Sequence, residues 1–140
     1  MKPTGGDVAE FVAAVTPDKR RRDAETLIEL LGGITGLEPA LWGTIIGFGS
    51  CHYRYPTGTE GDMPIAAFAP RKASSTVYLL EGAEPHAADL ALLGPHTVSR
   101  GCLYLNDLAT IDLSVLRRII ERSYALAVAD EIPGMTITTA

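Results

Sequence analysis

The chain has 140 residues, 46% of them hydrophobic and 21% charged, with a formal net charge of −5 at pH 7. That length supports one domain around one core and leaves no room for a catalytic domain beside a regulatory one. The acidic balance supplies no field that would attract polyphosphate or an anionic membrane surface, which excludes nucleic acid and membrane as first readings.

Val8, Phe11, Val12 and Val15 recur at i, i+3, i+4 and i+7, one face of a short helix beginning near Asp7. Thr16 before Pro17 reads as an N-cap with proline at the first helical position. Ala24, Leu27, Ile28 and Leu31 then form the apolar stripe of a second helix, ending at Gly32-Gly33. Lys19, Arg20, Arg21 and Arg22 read as a solvated face of its first turns, with Asp18 and Arg22 as an i,i+4 pair. From Trp42 the pattern changes. Residues 44–55 are β-branched and aromatic, with internal glycines that permit close approach of another element, and read as a strand. Pro56-Thr57-Gly58 and Gly61-Asp62 mark a loop. Residues 65–69 and 75–80 read as second and third strands, close enough along the chain to be antiparallel neighbours. Residues 89–93 hold a helical turn or two, and 101–105 a fourth strand. Asp112 caps a last helix with the stripe Leu113, Leu116, Ile120 and Tyr124, running to about Ala129. A tail over 130–140 has no period. The expectation is a single α+β domain over 1–140, with a four-stranded, mainly antiparallel sheet packed by two N-terminal helices and a C-terminal helix. Either Ile46 with Phe48 or Ile45 with Cys51 can face those helices.

The N-terminus carries one lysine followed by turn formers and lacks the apolar run of about 7–15 residues that a secretory signal needs. The longest apolar stretches, 65–69 and 124–129, fall far below the ~18 residues of a membrane span. A cytoplasmic location is expected, with Cys51 and Cys102 as free thiols.

Catalytic signatures are missing. Gly47-Phe48-Gly49 has no third glycine and lies inside a strand, which rules against a dinucleotide loop. No Walker loop, Cys-x-x-Cys, His-Glu-x-x-His or Gly-x-Ser-x-Gly occurs. A thiolate enzyme would need Cys102 beside His96, since Cys51 and His52 point to opposite faces of a strand, but both cysteines read first as core residues. His86 reads as a solvated loop residue. The richest constellation is aromatic and basic: Tyr53, Arg54 and Tyr55, then Arg71 and Lys72, then Tyr78, Cys102 and Tyr104. On one sheet surface these residues would suit a small anionic ligand or a protein partner, because guanidinium offers a planar fork and ammonium a point charge.

Leu37-Glu38-Pro39-Ala40-Leu41-Trp42-Gly43, Ile46-Gly47-Phe48-Gly49, His52-Tyr53-Arg54-Tyr55-Pro56-Thr57-Gly58, Phe68-Ala69-Pro70-Arg71-Lys72, Gly101-Cys102-Leu103-Tyr104 and Asp112 come in one order. Over residues 8–128 the chain resembles the YdhG-like family of bacterial domains of unknown function. The resemblance implies an antiparallel sheet packed by helices and no established reaction. Some members are labelled frataxin-like iron chaperones, which implies iron held by acidic side chains; Asp7, Glu10, Asp18, Asp23, Glu25 and Glu29 are the candidates here, interrupted by the basic run. No resident cofactor is expected. The leading expectation is a non-enzymatic cytosolic binding module, with iron delivery and a Cys102 enzyme as alternatives. An exposed sheet edge also invites a homodimer.

Overall fold

A computed structural model describes residues 2–139. Asp7 opens the first helix by accepting a hydrogen bond from the Glu10 amide (3.2 Å), and α1 (Val8–Ala13) presents Val12 to the core. α2 (Asp18–Thr35) starts later than a Thr16 cap would place it: Pro17 holds the cap position and no side chain caps the helix. It also continues through Gly32-Gly33 to Thr35 and is capped by Gly36, whose amide donates to the Gly32 carbonyl (2.8 Å) and whose φ of 69° turns the chain out of the helix. An interior glycine costs a helix about 1 kcal/mol, less than the burial of Leu27 or Leu31 returns at about 1.5–3 kcal/mol each.

The segment 44–55, expected as one strand, is two strands in two sheets. β1 (Pro39–Trp42) and β2 (Ile45–Phe48) pair as a hairpin, and β3 (Cys51–Arg54) departs into a second sheet. β4 (Glu60–Met63) runs through the Gly61-Asp62 expected as loop, because its ladder with β3 pairs the backbone despite poor strand propensity. β5 (Ala66–Pro70) and β6 (Ser75–Tyr78) follow; a 3₁₀ turn at Glu84–His86 leads into α3 (Ala87–Leu93). β7 (Thr97–Ser99) and β8 (Cys102–Leu105) form a hairpin. A second 3₁₀ turn, Leu108–Thr110, precedes α4 (Leu113–Val128), whose cap Asp112 accepts from the Ser114 and Val115 amides. The stretch expected as an unpatterned tail contributes β9 (Thr136–Thr139), paired with β3.

The larger sheet has the order β1-β2-β5-β6-β8-β7 and the smaller one β4-β3-β9, with every pair antiparallel. The α+β class and the antiparallel pairing are as expected; the main sheet holds six strands rather than four. Ile46 and Phe48 are the residues that face the helices, joining Phe68, Val77, Leu103 and Leu105 in one core with Leu27, Leu31, Leu116 and Ile119. Cys51 sits in a separate small core with Ile65, Ala127, Ile132 and Ile137.

One member of the basic run is internal, correcting its reading as a solvated face. Arg20 is 1% exposed: its Nη1 donates to the carbonyl oxygens of Asn106 (3.0 Å) and Leu105 (3.4 Å) and to Ser75 Oγ (3.4 Å). Asp23 lies 3.8 Å from it and accepts from the Leu108 amide (3.0 Å). Helical period explains this, because 20, 24, 27 and 31 share one face and the apolar stripe extends back to Arg20. Asp18 pairs with Arg21 (2.9 Å), not with Arg22, which reaches Asp107 (2.9 Å). Among the described residues no helix is long and apolar enough to cross a membrane.

Candidate functional site

The six-stranded sheet turns Ile45, Gly47, Ala67, Ala69, Thr76, Tyr78, Cys102 and Tyr104 away from the helices, the alternate set to the core residues. Small residues dominate its centre. A Cβ on Gly47 would fall 2.7 Å from Trp42 Cδ1 and from Pro64 Cβ, so only glycine admits both groups there. Beside this close approach, the segment 63–65 stands off Ala67 and leaves an apolar slot of about 180 Å³ lined also by Ile45, Pro64 and Ile65. Met63, Tyr78 and Leu80 line both this slot and a wider groove of about 410 Å³, whose other walls include Tyr55, Gly82, Arg100 and Met135.

Each wall has a local cause. Arg100 lies at the tip of the β7–β8 hairpin, where Gly101 makes the turn with a φ of 75°. The Gly101 carbonyl accepts from the Leu79 amide (2.9 Å), and the Leu79 carbonyl from the Gly82 amide (3.0 Å), which ties that tip to the end of β6. Tyr55 closes β3, with its amide on the Thr59 carbonyl (2.8 Å) and its ring edge-on to Tyr53 at 5.6 Å. Met135 precedes β9, and the Ile137 amide donates to Asp130 Oδ1 (2.7 Å), fixing the turn that brings the C-terminal segment back. Arg21, Arg22, Arg117 and Arg118 spend their charge in ion pairs, whereas Arg100 enters none among the described residues. Glu81 also borders the groove, yet its side chain is 1% exposed and bonded elsewhere.

The eight residues singled out from the sequence divide. Tyr55 and Tyr78 line the groove, and Tyr53 stands behind Tyr55, across Gly61. Cys102 is the cross-strand partner of Tyr78. Tyr104 lies toward the other end of β8, with its hydroxyl on Ser99 Oγ (2.7 Å). Arg71 and Lys72 sit at the β5–β6 turn, where Arg71 donates to Thr44 Oγ1 (2.6 Å) and Lys72 is exposed. Arg54 is exposed on the small sheet, opposite Glu60. The single surface expected for all eight is therefore not formed. Arg100, Met63 and Met135 were not singled out; the two-residue Arg100-Gly101 link between β-rich runs is the one local signal that places a cation at a hairpin tip.

The cysteine alternative lacks its geometry. Thr97 pairs with Tyr104, so His96 falls beside Leu105, about 10 Å along the strand from Cys102 at ~3.3 Å per residue. His96 Nδ1 instead bonds the Gly94 carbonyl (2.8 Å). Burial, with Asp62 nearby, pushes the Cys51 thiol up to about 11. The acidic helix positions are dispersed in role: Asp7 caps α1, Asp18 pairs with Arg21 and Asp23 is buried. Among the described residues no group of three or more His, Cys, Asp or Glu is placed to hold a metal ion.

Two further polar clusters were not expected. His86, read as solvated, is 1% exposed: Nε2 donates to Glu81 Oε1, while Ser123 Oγ donates to Glu81 Oε2 (2.8 Å). Serine and histidine meet the same carboxylate rather than each other, so no nucleophile and base are paired, and the burial admits no substrate. This cluster ties the segment before α3 to α4. On the small sheet, exposed His52 donates from Nδ1 to Asp62 (2.9 Å) and from Nε2 to Glu60 (2.8 Å). Only imidazolium donates from both nitrogens, and these bonds raise the His52 pKa and lower that of Asp62. Comparison of the chain with protein-family models, with curated proteins and with solved structures finds no match.

Proposed function

We propose that the chain is a non-enzymatic small-molecule-binding module of the cytoplasm, whose ligand lies in the groove between the two sheets. One observation carries this reading: an apolar slot and a wider groove lie side by side, sharing Met63, Tyr78 and Leu80, and the groove is bordered by an arginine with no ion-pair partner among the described residues. Small-molecule sites are built in this way, from apolar walls with a few polar groups that fix orientation. Two methionines in the walls add side chains that adapt to a ligand's shape at little cost. The ordered motifs between Leu37 and Asp112 support membership of the YdhG-like family, and binding without catalysis agrees with the missing catalytic signatures. Iron delivery has weaker support, because Asp18 and Asp23 are already engaged by Arg21 and by the Leu108 amide.

A neutral single-ring compound, toluene, followed by NMR at the amides of Tyr78 and Leu80, tests the site independently of charge. The expected result is one saturable site per chain that disappears in Ala67→Phe, with the circular dichroism of the variant unchanged. Shifts that do not saturate, or that persist in Ala67→Phe, overturn the reading.

A further inference from the structure

We infer that the ligand is a short-chain organic monocarboxylate, with its carboxylate on Arg100 and its hydrocarbon part in the slot beside Ala67; this rests on the groove being the binding site. The slot selects the body of the ligand. Its far end is formed by Ile45, Pro64, Ile65 and Ala67, with no charged side chain, so a polar group there would lose its water without gaining a partner. At about 180 Å³ the slot holds roughly six groups of water size, taking ~30 Å³ for each, which limits the ligand to a short chain or a single ring.

Arg100 selects the head. It stands on the rim of the wider groove, held there by the Gly101 carbonyl on the Leu79 amide, and it has no ion-pair partner among the described residues. A guanidinium presents two parallel N–H groups that match a carboxylate in plane. Among the described residues it is the single cation bordering the groove, which suits a monoanion; a phosphate dianion would call for a second positive group or a run of backbone amides. The carboxylate of Glu81 is turned onto His86 and Ser123 and its side chain is 1% exposed, so the rim presents a cation without a neighbouring bare anion. In a chain of net charge −5, an unpaired arginine beside an apolar slot gives an organic anion a local attraction that the molecule as a whole does not.

Amide-resolved NMR titration of the full chain with hexanoate, 1-hexanol and hexylamine tests this, read at Ala67, Tyr78, Leu80 and Gly101. Hexanoate is expected to bind about three- to tenfold more tightly than 1-hexanol, the range of a charge-assisted bond at an exposed rim, and hexylamine more weakly than either. Arg100→Gln is expected to abolish the preference for hexanoate over 1-hexanol while leaving 1-hexanol binding unchanged. Arg54→Gln, which removes an exposed cation outside the groove, is expected to preserve it. Equal binding of hexanoate and 1-hexanol in the native chain overturns the carboxylate assignment and leaves the groove standing. So does a preference that survives Arg100→Gln, or one that Arg54→Gln removes equally. Perturbation of none of the four amides by any of the three compounds overturns the groove itself.

Discussion

On the helix side of the six-stranded sheet, Ile46, Phe48, Phe68, Val77, Leu103 and Leu105 are sealed under α2 and α4; on the other side the same strands carry Gly47, Ala67, Ala69, Thr76 and Tyr78. Both sets come from one alternation along the same backbone. The difference lies in what approaches each face. Helix axes lie about 8–10 Å from what they pack on, and large branched side chains fill that distance. On the outer face the segment around Pro64 comes so close at Gly47 that no Cβ fits, and where it moves away the Ala67 methyl cannot fill the gap. A concavity persists there because the residues are small, and it is absent on the inner face because they are large.

Substitutions on the two faces should therefore fail for opposite reasons. The largest effect is expected from Phe68→Ala, which opens a cavity in the main core: about 3–5 kcal/mol of stability, read from urea unfolding. A loss below about 1 kcal/mol would mean that the inner face tolerates voids as the outer face does. Gly47→Val should cost less, about 1–3 kcal/mol, by overpacking against Pro64 and Trp42. An unchanged urea midpoint would show that the segment 63–65 is free to lift from the sheet.

The smallest effect belongs to the small sheet. The His52 pKa is raised from 6.5, so its contribution is complete below 6.5 and is lost as pH rises through the raised value. The Asp62 pKa is lowered from 3.8, so its contribution is complete above 3.8 and is lost as pH falls through the lowered value. Between about 3.8 and 6.5 both are present. The melting temperature of His52→Ala should fall below that of the native chain at pH 5, with the gap closing toward pH 9. An equal gap at the two pH values would show that the imidazolium contacts with Asp62 and Glu60 do not stabilise the hairpin.

Several parts of this arrangement were legible from the chain alone. The Asp112 cap and the stripe Leu113, Leu116, Ile120, Tyr124 marked α4 to within a residue or so, since a helix is local and its signals lie within it. Strands β5, β6 and β8 were placed for a similar reason, being β-branched or apolar runs bounded by turn residues. The break between β2 and β3 was hidden, because residues on both sides of Gly49 carry strand propensity and which sheet each joins depends on partners far along the chain. Strands β4 and β9 were hidden as well. Glu60-Gly61-Asp62-Met63 and Thr136-Ile137-Thr138-Thr139 are strands because they lie on either side of β3.

The sequence by itself determined the α+β class, the antiparallel habit, most of each helix face (Leu116 and Ile120 are buried as expected, Leu113 is exposed), the lack of familiar catalytic signatures and the candidacy of Tyr55 and Tyr78, all of which depend on residue type and short-range spacing. Only the tertiary structure decided that Arg20 and His86 are internal, that Arg71 and Lys72 lie outside the groove lined by Tyr55 and Tyr78, and that Arg100, Met63 and Met135 meet around one groove. Those residues come from a hairpin tip, an edge strand and the C-terminal segment. Their proximity depends on cross-strand register and on the close approach at Gly47, and neither is encoded within a dozen neighbouring residues.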